Sequence, residues 1–229
     1  MLDDARINFI KTPEQAIKYA AMLAKEPILG IDIETAPLPQ YSELKGAALD
    51  PYLAQPRLLQ VAALDGRVCV FDLYNVPLQC LAELSGTKWA VFNGGFEWRH
   101  LTNAGLTVPA LHDVMLLDRL VSCELRKLDT VVRDTLGVTL DKSLQVSDWG
   151  NAELSQEQLH YAAMDALATV RSAEVLLRKV NEQGQRRLYN LWCDVLPVLS
   201  DLSLRGQTFD WDTHRRLADS WEKERTALL

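Results

Sequence analysis

Apolar residues recur with two different periods along this chain, and the dominant period changes near residue 112. Before that point, short apolar runs bounded by turn residues are typical of β-strands. After it, helical spacing predominates. The predicted strands are Arg6–Ile10, Ile28–Glu34, Leu58–Leu64, Arg67–Leu73, Trp89–Phe92 and Val108–Leu111. The predicted helices are Pro13–Lys25, Pro77–Leu84, Phe96–Asn103, Val114–Cys123, Leu128–Leu136, Ser155–Glu182, Leu188–Leu204 and Thr213–Leu229.

Local signals support several of these assignments. Asp65-Gly66 between two apolar runs predicts a β-hairpin, and we expect the first three strands to be antiparallel neighbours. Ser155 followed by Gln158 predicts a capping box at the start of the long helix. Residues 36–56 contain four prolines and predict a long irregular loop directly after the second strand. A loop of that length is more often functional than idle.

The order of the elements predicts one α/β domain over residues 1–184 with three layers and a mixed sheet of five to six strands. Residues 185–229 are predicted to be a helical extension, with a turn and a short strand at Gly206–Phe209. This extension has too little apolar content to form a second core of its own.

Composition narrows the class of protein. No apolar run is long enough to span a membrane and no signal segment begins the chain, so we expect no membrane association and a cytoplasmic location. The four cysteines lack the spacing of a zinc site or a disulfide framework. The net charge of −7 predicts weak, salt-sensitive binding if the partner is a nucleic acid.

Two acids stand near the end of the second strand. Alternation places Asp32 and Glu34 on one face and Ile31 and Ile33 on the other. Neighbouring carboxylates repel each other, and burial disfavours their ionisation, unless a cation lies between them. The pattern therefore fits a divalent-metal site, although an edge strand whose polar face meets water would explain it equally well.

A second pair of polar residues lies on the long helix. Tyr161 and Asp165 are four residues apart and share one helix face. Together with Asp32 and Glu34 they could complete a site for two divalent ions, which in phosphoryl chemistry activate a water and stabilise the leaving oxygen.

Three motifs in this order resemble those of the DEDD 3′–5′ exonucleases, in the subgroup whose third motif begins with tyrosine. They are Asp32-x-Glu34, Asn93-x-x-Phe96-Glu97 and Tyr161-x-x-x-Asp165. Further segments resemble ribonuclease D and the proofreading domains of family A DNA polymerases over residues 6–180. They are Leu58–Ala62, His112–Leu116, Leu136–Ser143 and Ser147–Trp149.

The resemblance implies a ribonuclease H-like fold and stepwise removal of nucleotides from a 3′ end. Asp32, Glu34, Glu97 and Asp165 would hold two Mg²⁺ or Mn²⁺ ions, and Tyr161 would orient the attacking water. Thr35, through its backbone, Asn93 and Phe96 would bind the terminal nucleotide. The implied substrate is single-stranded DNA or a frayed 3′ end, with RNA as the alternative.

The second motif departs from the family pattern. It normally ends in aspartate, whereas this chain has Glu97, and the residue before Asn93 is Phe92 rather than histidine or glutamine. The extra methylene moves the carboxylate by roughly 1.5 Å, and a misplacement of that order can cost about a hundredfold in rate. Two interpretations stay open: a tolerated variant, or an attenuated module that binds nucleic acid or serves as a scaffold.

The extension resembles the segment that leads from the exonuclease into the thumb of family A polymerases. The matching residues are Val195–Leu202 and Arg205–Asp210. This looser resemblance implies a polymerase domain or subunit as a partner. It favours DNA proofreading over ribonuclease D-like RNA trimming.

Overall fold

The computed structural model describes residues 2–141, 144 and 147–228. A six-stranded sheet with the order β1-β4-β3-β2-β5-β6 forms its middle layer. The strands are β1 Arg6–Ile10, β2 Ile28–Pro37, β3 Ala54–Ala62, β4 Arg67–Asp72, β5 Lys88–Val91 and β6 Leu111–Asp113. The predicted mixed sheet is confirmed, and β3 alone runs against the other five strands.

The described part of the chain contains seven α-helices. They are α1 Pro13–Leu23, α2 Gly95–Asn103, α3 Val114–Ser122, α4 Leu128–Leu136, α5 Gln156–Glu182, α6 Arg186–Arg205 and α7 Trp211–Leu228. The segment Leu78–Gly86, predicted as a helix, is a 3-10 helix. The capping box at Ser155 and Gln158 is present, and α4 ends at Gly137 as predicted.

Two hydrophobic cores lie on opposite faces of the sheet and create the three predicted layers. One core is built around α3, α4 and α5, and the other around α1, the 3-10 helix and α2. Strand β2 contributes Leu29, Ile31 and Ile33 to the second core. The alternate residues of β2 therefore face α5, and Asp32 and Glu34 are among them.

Three predictions about strands were wrong. Strand β1 pairs with β4 and is parallel to it, because the crossover helix α1 returns the chain so that β2 runs in the same direction as β1. The last strand covers Leu111–Asp113 instead of Val108–Leu111, because it begins only where the chain pairs with β5. Residues 206–209 contain no strand, since no neighbouring strand pairs with them.

The hairpin between β3 and β4 is confirmed. Gly66 has φ +90°, and its N–H donates to the Ala63 carbonyl at 3.1 Å. A tight turn that ends in a left-handed glycine joins strands with the right twist. The predicted hairpin therefore sets the register of two central strands.

The two last helices differ in how they contact the rest of the chain. Helix α6 packs against α2, and Tyr189 at its start is fully buried. Trp98 Nε1 donates to Asp201 Oδ1 at 2.9 Å, and the Tyr52 hydroxyl donates to the Leu204 carbonyl. Helix α7 has no buried residue. The domain boundary at residue 184 stays a prediction. None of the helices described is long and apolar enough to cross a membrane.

Candidate active site

The predicted site residues lie at one edge of the sheet, where parallel strands end. Asp32 and Glu34 stand towards the end of β2, Asn93 follows β5, and Asp113 ends β6. Because β2, β5 and β6 are parallel, their carboxyl ends share this edge, which is where open α/β sheets bind ligands.

Gly30 allows α5 to approach this edge closely. A Cβ atom at position 30 would lie 2.2 Å from the Ala166 carbonyl oxygen and 2.9 Å from Val170 Cβ, which is far inside van der Waals contact. Gly30 and Asp32 share one face of β2, and Ala166 directly follows Asp165. Because position 30 carries no side chain, Asp165 of α5 can come close to the acids of β2, Asp32 and Glu34.

Tyr161 and Asp165 are both buried on α5, with exposed fractions of 8% and 7%. Their side chains are hydrogen-bonded to each other. Burial is the first cause that raises the pKa of Tyr161 above its ordinary value, followed by the charges of Asp165, Glu34 and Asp32. The phenol consequently keeps its proton, and it lies within electrostatic reach of three carboxylates.

The second motif begins with a strained turn. Asn93 has φ +66°, a left-handed conformation that asparagine tolerates better than most residues. Asp113 holds the turn, because its carboxylate accepts hydrogen bonds from the N–H groups of Asn93 at 3.3 Å and Gly94 at 2.8 Å. The same carboxylate caps α3 through the N–H groups of Met115 and Leu116. One buried aspartate thus fixes the start of two helices.

Helix α2 carries Glu97 into the interior beside Asp32. Glu97 is 2% exposed, and no described residue forms a hydrogen bond with its Oε2. Burial raises the pKa of Glu97 well above its ordinary value, and the charges of Asp32 and Asp113 act in the same direction. A cation between Glu97 and Asp32 would relieve both effects.

The predicted nucleotide-binding residues lie around this cluster. Asn93 is exposed and Phe96 is half-buried, with its ring 4.3 Å from that of His100. The Thr35 side chain is buried, and its hydroxyl donates to the Ala48 carbonyl at 2.6 Å. The Thr35 side chain is therefore already engaged, and the assignment of its backbone to the nucleotide stays a prediction.

The chemistry of the donor set fits hard divalent cations. Carboxylate oxygens are the ligands that Mg²⁺ and Mn²⁺ prefer, and the unpaired Oε2 of Glu97 offers one more. In the described part of the chain, no three acidic, histidine or cysteine side chains already stand close enough together to hold an ion. Asp32, Glu34, Glu97 and Asp165 are the residues that would hold such ions.

Gln158 also belongs to the site region, although the sequence predicts it only as part of the capping box of α5. Its Nε2 donates to Ser147 Oγ at 2.6 Å and to the Asp148 carbonyl at 3.3 Å, while its Oε1 accepts from the Ser155 N–H at 2.9 Å. These bonds fix the backbone directly before Trp149, whose ring lies 6.3 Å from that of Tyr161. The available signal in the sequence was a glutamine one turn before the motif residue Tyr161.

Two other residues were also missed. Gln60 is the cross-strand partner of Asp32, and its buried amide has no hydrogen-bond partner among the described residues. A polar residue within the apolar run Leu58–Ala62 was the signal. Asp113 was interpreted only as a helix cap, because its second role, at Asn93, depends on the pairing of β5 with β6.

Comparison with known proteins identifies the family. The model of a family described as 3′–5′ exonuclease matches residues 7–181. DNA polymerase I of Aquifex aeolicus is 34% identical over 113 residues, which are 48% of this chain and 20% of that protein. The exonuclease mut-7 homolog of Homo sapiens is 27% identical over 196 residues, 69% of this chain and 21% of that protein. The chain spans about a fifth of the length of these curated relatives.

Solved structures share the fold. Escherichia coli RNase D has a TM-score of 0.75 at 18% identity, covering 95% of this chain and 55% of that one. Brucella melitensis NrnC with bound Mg²⁺ has a TM-score of 0.68 at 22% identity, covering 90% of this chain and 96% of that one. These similarities confirm the ribonuclease H-like fold expected from the sequence. Since the family match spans well over half of its length, the chain belongs to the 3′–5′ exonuclease family.

Proposed function

We propose that this chain removes nucleotides one at a time from the 3′ end of DNA by two-metal hydrolysis, as a proofreading-type exonuclease. The observation that supports this proposal is that Tyr161 lies within electrostatic reach of Asp165, Glu34 and Asp32, while Glu97 is buried within reach of Asp32. The pKa of Tyr161 and that of Glu97 are each raised partly by the charges of the other acids, which supports their proximity.

Asp32, Glu34, Glu97 and Asp165 would hold the two ions, Mg²⁺ or Mn²⁺. When bound, such ions lower the pKa of a water and stabilise the leaving oxygen. The Tyr161 phenol orients the attacking water by a hydrogen bond and does not act as a base, because its pKa is raised. Asn93 and Phe96, with the backbone of Thr35, hold the terminal nucleotide beside this group.

DNA is favoured by the relative with the highest sequence identity quoted above, which is a DNA polymerase I. RNA trimming is the second candidate, because RNase D and NrnC share the fold and one NrnC structure contains pGG. The attenuated module is the third, because Glu97 replaces aspartate. A polymerase partner and a cytoplasmic location stay predictions.

The test follows 5′-labelled single strands of DNA and RNA of one sequence, with Mg²⁺, with Mn²⁺ and without metal. We expect a ladder that shortens from the 3′ end of DNA and requires metal. Asp32→Ala should lower the rate by about 10³-fold or more. Asp219→Ala, an exposed acid on α7, is the matched control and should behave as the native chain.

The outcomes separate the three candidates. Faster shortening of RNA would replace the first with the second. Metal-independent shortening, or full activity in a folded Asp32→Ala protein, would contradict the proposed chemistry. Binding of a strand without any shortening would support the attenuated module.

A further inference from the structure

A groove runs from the candidate active site along the extension, between α2 and α6. We call it the α2–α6 groove; its volume is about 580 Å³. Asn93, Phe96 and Arg99 line its α2 side, and Leu191, Trp192 and Leu199 line its α6 side. A cavity of this size is in the range of small-molecule ligand sites.

The groove is continuous with the proposed nucleotide site. Asn93 and Phe96, which we assign to the terminal nucleotide, also form one end of the groove. A strand whose last nucleotide lies at Phe96 must leave the site through some opening, and the groove begins at that residue. The groove can therefore receive the nucleotide next to the terminal one.

The charge of the groove suits an anionic strand. Arg99 is the basic residue among its described lining, and it makes no ion pair with a described residue. Its Nε donates to the Gly95 carbonyl at 2.9 Å, which orients the guanidinium. The acid that lines the groove, Asp113, already accepts four backbone hydrogen bonds. Arg99 is thus available to a phosphate.

The α6 wall offers apolar surface to bases. Leu191 and Leu199 are each 57% exposed, and Trp192 is half-buried. Grooves that bind single strands combine a basic side chain for the backbone with flat apolar or aromatic contacts for the bases. The α2–α6 groove has both features: Arg99 lies one turn after Phe96 on α2, and the apolar side chains lie on the facing helix α6.

We propose that the α2–α6 groove binds the nucleotides immediately upstream of the 3′-terminal one, with Arg99 on a phosphate and the α6 wall against the bases. The inference rests on the proposed exonuclease function and assigns helix α6 to substrate binding. It predicts that strands longer than a dinucleotide bind more tightly because they also contact α6.

The first test compares two exposed leucines on α6. Leu199 lines the groove, whereas Leu202 is equally exposed and does not. We expect Leu199→Glu to raise KM for a ten-nucleotide strand about tenfold more than KM for a dinucleotide, because it removes one base contact and repels the phosphates. Leu202→Glu should change neither KM by more than about twofold, since a surface substitution outside the groove has little effect.

The second test concerns charge. Binding of a 5′-fluorescein decamer of deoxythymidine is measured by anisotropy in EDTA at several salt concentrations, so that no cleavage occurs. Arg99→Ala should make the slope of log affinity against log salt shallower by about 0.7, the value for one phosphate of a single strand. Arg119→Ala, an exposed arginine on α3 outside the groove, should not change the slope.

The experiments distinguish a failure of the groove inference from a failure of the proposed function. If no strand is hydrolysed but the decamer binds with the Arg99 and Leu199 dependence, the function fails and the groove stands. If strands are hydrolysed while both groove variants match their controls, the inference is overturned. A change of oligomeric state in Leu199→Glu without a change in KM would also overturn it, because the groove would then be a protein interface.

Discussion

The two halves of the candidate site are held in place by different means. On one half, Asp32, Glu34, Tyr161 and Asp165 stand on a central strand and a long helix whose backbones touch at Gly30. On the other half, Glu97 and Phe96 stand on α2, which begins at a left-handed Asn93 and depends on the Asp113 carboxylate. The first half is fixed by packing, whereas in the second half packing is supplemented by the backbone hydrogen bonds that Asp113 accepts.

In the part of the chain that the structure describes, buried polar atoms without a hydrogen-bond partner occur in both halves. In the α2 half this atom is Glu97 Oε2, and in the β2–α5 half these atoms are the amide of Gln60 and Nε1 of Trp149; none has a partner among the described residues. Buried polar atoms without partners are costly, and they persist where a ligand or a function compensates. Both halves therefore carry the energetic cost of a site built to bind something, and they differ in the contacts that position their acids.

Gly30→Ala should have the largest effect, because it separates the two elements of the β2–α5 half. The new Cβ would meet the Ala166 carbonyl at 2.2 Å, and backbone cannot move aside cheaply. We expect kcat to fall more than about a hundredfold, since a shift of 1 Å can cost that much, and the free energy of unfolding to fall by about 2 kcal/mol. Gly86→Ala, where a Cβ meets nothing within 4 Å, is the control. Native kcat in Gly30→Ala would refute the role of this contact.

Glu97→Asp tests whether the α2 half is adapted to the longer acid. The shorter side chain withdraws the buried carboxylate from Asp32 by roughly one C–C bond, so we expect kcat to fall between about tenfold and hundredfold. Glu83→Asp, at an exposed position in the 3-10 helix, controls for the chemical change. A rise in kcat would show instead that Glu97 attenuates the site and would support the scaffold interpretation.

Gln158→Ala should act through Tyr161 and have a smaller effect. Losing the Gln158 hydrogen bonds releases the backbone directly before Trp149, whose ring lies beside that of Tyr161, and we expect kcat to fall about fivefold with KM nearly constant. In a Tyr161→Phe background, Gln158→Ala should not lower kcat further, because the hydroxyl group that Gln158 helps to position is absent. Gln156→Ala, exposed on the same helix, is the control. Additive losses would show that Gln158 does not act through Tyr161.

The buried His100 side chain should make the folding stability of the chain, rather than its catalytic rate, depend on pH. Burial is the first cause that lowers the pKa of His100 to about 4, from an ordinary value of 6.5. The unfolded chain takes up a proton below pH 6.5 and the folded chain does not, so stability falls as the pH drops from 6.5 towards 4. A shift of this size corresponds to about 3 kcal/mol.

Urea unfolding of His100→Leu at pH 7.5 and 4.5 measures this contribution. The variant should lose less stability on acidification than the native chain, although His112, whose pKa is lowered in the same direction, keeps part of the effect. His160→Leu, exposed on α5, is the control. Equal acid sensitivity in the His100→Leu and native chains would contradict the prediction.

Much of the site could be predicted from the sequence because its geometry is local. Alternation along β2 places Asp32 and Glu34 on one face, and a spacing of four on a helix does the same for Tyr161 and Asp165. The hairpin at Gly66 and the capping box at Ser155 also follow from neighbouring residues. These features needed no knowledge of distant contacts.

Other features were decided only by the tertiary structure. The direction of β1, the second role of Asp113 and the packing of α6 on α2 depend on which elements become neighbours. Gly30 looked ordinary in the sequence, and its importance arises from the approach of Ala166, which is 136 positions away in the chain. The sequence determined which residues carry the chemistry, whereas long-range packing decided how closely they meet, because no local pattern encodes a contact between distant segments.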